Sequence, residues 1–432
     1  MNAFIPSIET KSTAEVLSFQ ENALSEVLSY VNTHSKFYQD LFHNNKIDIR
    51  SIKSLIDLQK IPVTTKDDLY KHNSEFICVT PDKIIDYVTT SGTLGDPLTF
   101  VLTDKDLERL AYNERISLAC AGGTKHDLYQ LMTTIDRRFM AGMAYFLGIK
   151  QMGAGVVRVG NGMPEFQWDT IKRLNPTVAI AVPSFLIKLI EFAEQNNIDY
   201  KNCSLKKIIC IGEPIRNEDF SYNTLGKRIT DKWPIQLFST YASTEMSAAF
   251  TECEAGKGGH HHPELLIAEF LDDNNNPVAK GEAGELTVTH LGVEGMPLIR
   301  FKTGDICKAH YETCSCGRNT LRISPILGRK QQMIKFKGTS LYPPALYDIL
   351  NTVNYIKNYI VEVSTNDIGT DEIVIYIGTD NAPDNFEKDL KDHFRAKLRV
   401  APSIIIDSAE NIAKRQLPEM SRKPILFIDR RK

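Results

Sequence analysis

Apolar positions in the first 75 or so residues fall in short stripes at helical spacing, such as Val16, Leu17, Leu24 and Val27, within otherwise polar sequence. This pattern predicts helices. From about 84 to 245 the pattern changes. Short β-branched runs bounded by turn residues (Gly155–Gly160, Thr177–Pro183, Leu205–Gly212, Ile235–Ala242) alternate with helical segments such as Ser184–Gln195. That alternation predicts an α/β sheet with crossover helices. Between 265 and 307 three runs, Leu265–Leu271, Glu285–His290 and Pro297–Cys307, are separated by Asp-Asn-Asn-Asn-Pro and Gly-Glu-Ala-Gly turns, which predicts an appended β unit. After about Gly328 a smaller αβ module follows, with a helix over Pro344–Val353 and strands over Ile360–Val363 and Glu372–Gly378. Phe386, Leu390, Phe394 and Leu398 recur every four residues and mark one buried helix face. No internal repeat is visible.

A length of 432 residues predicts two or three domains. At 42% hydrophobic and 24% charged, the composition allows a large core and requires no disordered tract. A net charge of −3 gives no general pull toward nucleic acid or an anionic membrane, and neither is expected as a partner. The N-terminus lacks the basic-then-apolar order of a signal peptide. The most apolar stretch, Val178 to Ile190, is broken by Pro183 and Lys188 and is too short to span a bilayer. The expected compartment is the cytoplasm, where the eight cysteines stay reduced and a Cys cluster reads first as a metal or catalytic site.

Four segments carry candidate chemistry. Thr89-Thr90-Ser91-Gly92-Thr93-Leu94-Gly95-Asp96-Pro97 offers glycines for tight turns and a run of N–H and O–H donors for phosphate oxygens. No Gly-Lys-Ser/Thr follows it, and alone it is equally a surface turn. Tyr241-Ala242-Ser243-Thr244-Glu245 ends a predicted strand, where a carboxylate can hold Mg²⁺ or simply face solvent. In Thr303-Gly304-Asp305 the aspartate can accept from a ribose diol, although the tripeptide is also a plain turn. The fourth is Gly328-Arg329, followed by Met333-Ile334-Lys335.

In this order and at these separations the segments resemble the adenylate-forming acyl-CoA synthetases, and among them the phenylacetate–CoA ligase branch. Pro62-Val63-Thr64-Thr65-Lys66-Asp67-Asp68-Leu69 is similar to that branch's opening segment. Ser91-Gly92-Thr93-Leu94-Gly95 matches its phosphate loop, Gly212-Glu213-Pro214 its adenine-side turn, and Gly284-Glu285-Leu286 through Gly304-Asp305 a longer stretch. The resemblance implies an α/β fold: a large multi-sheet N-terminal adenylate-forming domain (1–328) and a small mobile α+β C-terminal domain (329–432). It implies ATP/AMP, Mg²⁺ and coenzyme A as cofactors and co-substrates, a small carboxylic acid as substrate, and a second copy of the chain as a candidate partner. Thr90, Ser91, Gly92 and Thr93 would cradle the triphosphate, while Gly212, Glu213, Pro214 and Tyr241 border the adenine. Asp305 would bind the ribose with Arg329 nearby, Thr244 the α-phosphate and Glu245 the Mg²⁺. Lys423, before Pro-Ile-Leu-Phe-Ile-Asp, fits the mobile lysine that bridges the acid and the α-phosphate. A hinge is expected at Gln331-Gln332. The implied activity is AMP-forming acyl-CoA ligation. Transfer to a carrier protein or another nucleophile, or nucleotide binding without catalysis, are the alternatives.

Cys253, His260, Cys314 and Cys316 supply two soft ligand pairs suited to tetrahedral Zn²⁺, within a β unit of about 250–320. Free thiols beside a solvated histidine run are the alternative. His261 and His262 compete with His260, which the family spacing to Glu269 favours. Four protein ligands would make such a zinc structural. Where the branch has a glycine- and aromatic-rich acid pocket, this chain has Thr133-Thr134-Ile135-Asp136-Arg137-Arg138-Phe139-Met140. A bare phenyl ring against such charge is unexpected. Either the acid is polar or anionic, or these residues face solvent or the CoA phosphates.

Overall fold

The computed structural model describes residues 4–90, 98–336, 339–366, 370–418 and 424–431. The chain folds as two compact units, one formed almost wholly from residues up to Pro325 and the other almost wholly from Ile326 onward.

The first unit opens with helices, as its stripes predict: α1 (Thr13–His34), α2 (Lys36–Asn44) and α3 (Lys66–His72). Ser12 and Glu15 close a capping box on α1, and the helix buries Leu24, Val27, Leu28 and Val31 along one face. Strands β1 (Asp86–Thr89) and β2 (Thr99–Leu102) pair antiparallel on either side of the predicted phosphate loop. Helix α4 (Asp104–Cys120) follows, capped by Thr103 and Asp106.

The main sheet uses β3 (Leu128–Leu131), β4 (Gly155–Arg158), β5 (Val178–Ala181), β6 (Lys207–Cys210) and β7 (Gln236–Ser243). It continues through β8 (Ala248–Glu252), β9 (Gly259–His260), β10 (Leu266–Leu271), β11 (Ala283–His290), β12 (Phe301–His310) and β13 (Arg322–Ile323). Their order is β10-β11-β12-β13-β9-β8-β7-β6-β5-β3-β4. The pairs from β4 to β7 are parallel, and those from β7 to β10 antiparallel. Helices α5 (Met140–Met152), α6 (Pro164–Leu174) and α7 (Pro183–Gln195) make the crossovers of the parallel half. Leu131, Ile180, Ile209 and Phe238 pack with Tyr145 and Ile149 of α5, and β5 and β6 accordingly read as short apolar runs.

Two details differ from the sequence expectation. The predicted β unit is not a separate attachment, because β8, β9 and β13 join it to the parallel half by continuous hydrogen bonding. Strand β12 begins at Phe301 rather than Pro297, because Arg300 lies in the left-handed region at φ 48° and interrupts extended backbone.

The second unit has a four-stranded sheet ordered Ser403–Asp407, Asp371–Gly378, Asn358–Thr365, Phe427–Asp429. Helices Pro343–Thr352, Phe386–Leu398 and Ala409–Gln416 accompany it. Phe386, Leu390 and Phe394 enter its core beside Ile349, Val361 and Ile375, and Leu398 packs at the margin.

Candidate active site

Strand β7 changes partners midway. It runs parallel to β6 as far as Ser239 and antiparallel to β8 from Thr240. The strand ends at Ser243, and the chain passes directly into Thr244 and Glu245. Tyr241 lies near that end, and its hydroxyl donates to Asp305 Oδ2 at 2.6 Å. Asp305 reaches it because β12 bulges: the register against β11 shifts between Glu285 and Thr287, and Gly304 takes φ +81°. A left-handed residue in a bulge is where glycine is needed, and the bulge re-aims the next side chain. Thr303 fixes the bulge by donating to Leu286 O and accepting from Asp305 N. Burial, and then the Asp305 charge, push the Tyr241 phenol up, so it remains a proton donor.

After β7 the chain turns through Thr244–Ser247. Ser247 N and Oγ both donate to Thr244 O, and Ser247 has φ 48°. Glu245, on this turn, pairs with Lys66 Nζ at 3.2 Å. Lys66 arrives by backbone pairing: Thr64 N donates to Arg300 O, Lys302 N to Thr64 O, and Thr64 Oγ1 to Ile299 O. Thr65 then caps α3 with Asp68, which places Lys66 in the first helical position. Arg300 locks the junction through Glu269 at 2.9 and 3.1 Å and through Ile61 O at 2.6 Å.

Glu213 follows Gly212, which has φ +78°, and accepts from Ser184 N at 2.8 Å and Ser184 Oγ at 2.9 Å. Its carboxylate therefore sits at the N-terminus of α7, where a negative charge is favoured. Thr90 N donates to Leu98 O, and Leu98 N to Thr90 Oγ1, at the end of the β1–β2 hairpin. Ser91, Gly92, Thr93 and Lys423 lie outside the described residues. Arg329 belongs to the second unit and is exposed.

The structure also brings Cys253, His260, Cys314 and Cys316 together, with their ligand atoms all within 4.8 Å of one another. Cys253 Sγ and Cys314 Sγ are 3.5 Å apart, and Cys316 Sγ and His260 Nε2 are also 3.5 Å apart. A tetrahedral zinc needs edges of about 3.8 Å between two sulfurs and about 3.5 Å between sulfur and nitrogen, from its usual bond lengths. The donor set fits. Cys316 is pushed down, first by the hydrogen bond from Cys253, while Cys253 is pushed up. The neighbouring histidines are committed elsewhere. His261 Nε2 lies 2.7 Å from Leu266 O, and His262 contacts Glu9 through Nδ1 and Ser117 through Nε2. Glu9 also pairs with Arg318 at 2.6 Å, and Arg318 approaches Cys316 Sγ at 3.5 Å. The segment around Glu9 is thus pinned against the cluster.

Sequence reasoning assigned no role to Lys66, Glu9 or Arg318. Lys66 stood within a recognised segment, but only tertiary pairing brings it to Glu245. Nothing local marks Glu9, whose charge is buried 253 residues away from His262 along the chain. No helix among the described residues is long and apolar enough to cross a membrane.

Residues 12–294 match the family described as AMP-binding enzyme. A phenylacetate-coenzyme A ligase of Thermus thermophilus is 29% identical over 354 residues, covering 80% of this chain and 77% of that protein. A phenylacetate-coenzyme A ligase of Escherichia coli is 27% identical over 375 residues, covering 84% and 82%. Among solved structures, a 2-hydroxyisobutyryl-CoA ligase in the postadenylation state, in complex with R3-HIB-AMP, shares the fold with a TM-score of 0.84 at 21% identity, covering 99% of this chain and 94% of that one.

Proposed function

The chain belongs to the AMP-binding enzyme family, and from that premise we propose that it is an AMP-forming acyl-CoA ligase for a small carboxylic acid. The observation that carries this reading is the convergence of Tyr241 and Asp305, 2.6 Å apart, at the end of the strand that leads into Thr244 and Glu245. The two relatives reported above are phenylacetate-coenzyme A ligases, which supports CoA as the acceptor.

The acid's carboxylate attacks the α-phosphate of ATP, pyrophosphate leaves, and an acyl-adenylate forms. The CoA thiol then attacks the acyl carbon and releases AMP. The first step brings one anion against another, so it depends on positioning and charge neutralisation. Asp305 would accept from the ribose hydroxyls with Tyr241 holding its orientation, and Arg329 would lie nearby. Gly212, Glu213 and Pro214 would border the adenine, with Glu213 fixed by Ser184. Thr90, Ser91, Gly92 and Thr93 would receive the phosphates, and Thr244 the α-phosphate. Glu245 would hold the nucleotide's Mg²⁺, whose charge screens the phosphate oxygens. Lys66 places a further cation beside that carboxylate. Lys423 would bridge the two reacting anions. The domain carrying it, from residue 329, would swing about Arg329–Gln332 to admit CoA, since lysine and thiol need the same approach. Cys253, His260, Cys314 and Cys316 would hold a structural zinc that adds to folding stability.

ATP–pyrophosphate exchange, screened over aryl, hydroxy and dicarboxylic acids with and without CoA, tests the proposal. The expected result is acid-dependent exchange and, with CoA, an acyl-CoA and AMP. Nucleotide binding without exchange for any acid would overturn it.

A further inference from the structure

The turn carrying Thr244 and Glu245 is held from behind by an arginine that no motif marks. Arg109 is buried on α4 and donates to three carbonyls from three separate connections. Nη1 reaches Ser247 O at 2.6 Å, Nε reaches Leu291 O at 2.8 Å, and Nη2 reaches Leu265 O at 2.5 Å. The next turns of α4 continue the pattern along β8. Asn113 Oδ1 accepts from Ala249 N at 3.1 Å, and Cys120 Sγ donates to Thr251 O at 3.3 Å. Ala249 and Thr251 lie in β8, which pairs with β9 only at Thr251 and Glu252. Side chains of α4 thus bond the backbone at Ser247 on the turn and at Ala249 and Thr251 in β8.

The contact to Ser247 matters most. Ser247 is a non-glycine residue at φ 48°, a conformation that persists only where surrounding contacts enforce it. On one side its N–H and hydroxyl close onto Thr244 O, and on the other its carbonyl is taken by Arg109. A buried guanidinium is costly to desolvate, and its rigid fork fixes three backbones at once in a way a lysine could not. The site where it is used is the turn that presents Glu245.

We propose that Arg109 is a positioning residue for adenylation. Acting through the Ser247 carbonyl, it holds the Thr244–Ser247 turn so that Glu245 meets the nucleotide's metal and Thr244 the α-phosphate. This rests on the roles given to Glu245 and Thr244 above. Its guanidinium is spent on three backbone carbonyls, so Arg109 would act through the turn and not on nucleotide or acid.

The test uses the full chain with Arg109→Met, Arg109→Lys and, as a control on the underlying reading, Glu245→Gln. Pyrophosphate exchange is followed against Mg²⁺, ATP and acid, and folding by circular dichroism. Groups that orient a metal ligand from behind change metal affinity or activity by about 10–100-fold. Arg109→Met should stay folded, raise the Mg²⁺ half-saturation and lower kcat within that range, and leave the KM for the acid unchanged. Arg109→Lys, with a single ammonium nitrogen in place of the rigid fork, should fall between. Folded Arg109→Met with wild-type Mg²⁺ dependence and rate overturns the proposal. So does loss of folded protein in both Arg109 variants, which would make the bracket a folding device. If Glu245→Gln leaves the Mg²⁺ dependence untouched, the role of Glu245 is wrong, and that outcome is separate from the behaviour of Arg109.

Discussion

Replacing Glu114 with glutamine should remove a loss of stability at high pH that the native chain builds into its own core. Glu114 lies on α4 facing α5, and its side chain is buried. The two helices approach so closely at Gly148 that a Cβ there would sit 2.3 Å from Glu114 Cβ. The carboxyl accepts from Asn113 Nδ2 at 3.1 Å. Burial pushes its pKa up to about 8, against 4.5 for an exposed glutamate, and the bond from Asn113 offsets only part of that. Between pH 4.5 and 8 the folded chain therefore keeps a proton that the unfolded chain has released. The unfolded state binds fewer protons, so stability falls as pH rises through that window and levels off above it. The slope is about 1.4 kcal/mol per pH unit at most, which gives a total on the order of 5 kcal/mol. Glutamine has the same shape and no charge to desolvate. Denaturant midpoints for both proteins from pH 5 to pH 9 provide the assay. Other buried acids, such as Glu252 and Glu264, are common to both chains and cancel in the difference. The difference should be small near pH 5 and grow in favour of Glu114→Gln toward pH 8. Parallel curves, or a variant equally weakened at every pH, would refute the reasoning.

Lys423→Ala should slow acyl-adenylate formation by on the order of 10²-fold or more, and slow thioester formation from supplied acyl-adenylate far less, since it removes a cation from developing charge. Equal losses in rapid-quench measurements of both half-reactions would contradict its role. The Cys253/His260/Cys314/Cys316 set should retain about one zinc per chain through dialysis, and Cys314→Ser should lower the thermal midpoint before it changes turnover of the folded enzyme. Elemental analysis without zinc in carefully prepared protein would end that claim. Gln331→Pro stiffens a residue whose carbonyl accepts from Arg431 at 2.9 Å. It should slow thioester formation and spare pyrophosphate exchange, and unchanged turnover would remove Gln331 from the hinge.

Periodicity made much of the parallel half of the sheet legible, because β5 and β6 are short apolar runs between turns and need no distant partner to be recognised, whereas β3 was not read from the sequence. Like β5 and β6, the helix carrying Phe386, Leu390 and Phe394 was legible. What the sequence concealed depended on register. The bulge at Gly304 is invisible until β11 pairs with β12, so Thr-Gly-Asp read equally as a plain turn. The Cys-x-Cys pair was legible from spacing, yet the choice among His260, His261 and His262 depends on strand pairing. His260 pairs with Thr251 in β8 and turns toward the cysteines, while its neighbours bond Leu266 and Glu9. Lys66 and Arg109 carry no local signal, because each acts on backbone or carboxylate more than a hundred residues away.

The central claim is that the acid's own oxygen is transferred to AMP. Once the exchange screen has found a substrate, one turnover with that acid labelled with oxygen-18 in its carboxylate tests the claim most directly, with mass spectrometry of AMP, pyrophosphate and phosphate. The account predicts one heavy oxygen in AMP and none in pyrophosphate, with the acyl group recovered on CoA. Label in inorganic phosphate with ADP as product would mean an acyl phosphate rather than an acyl-adenylate, and would contradict it.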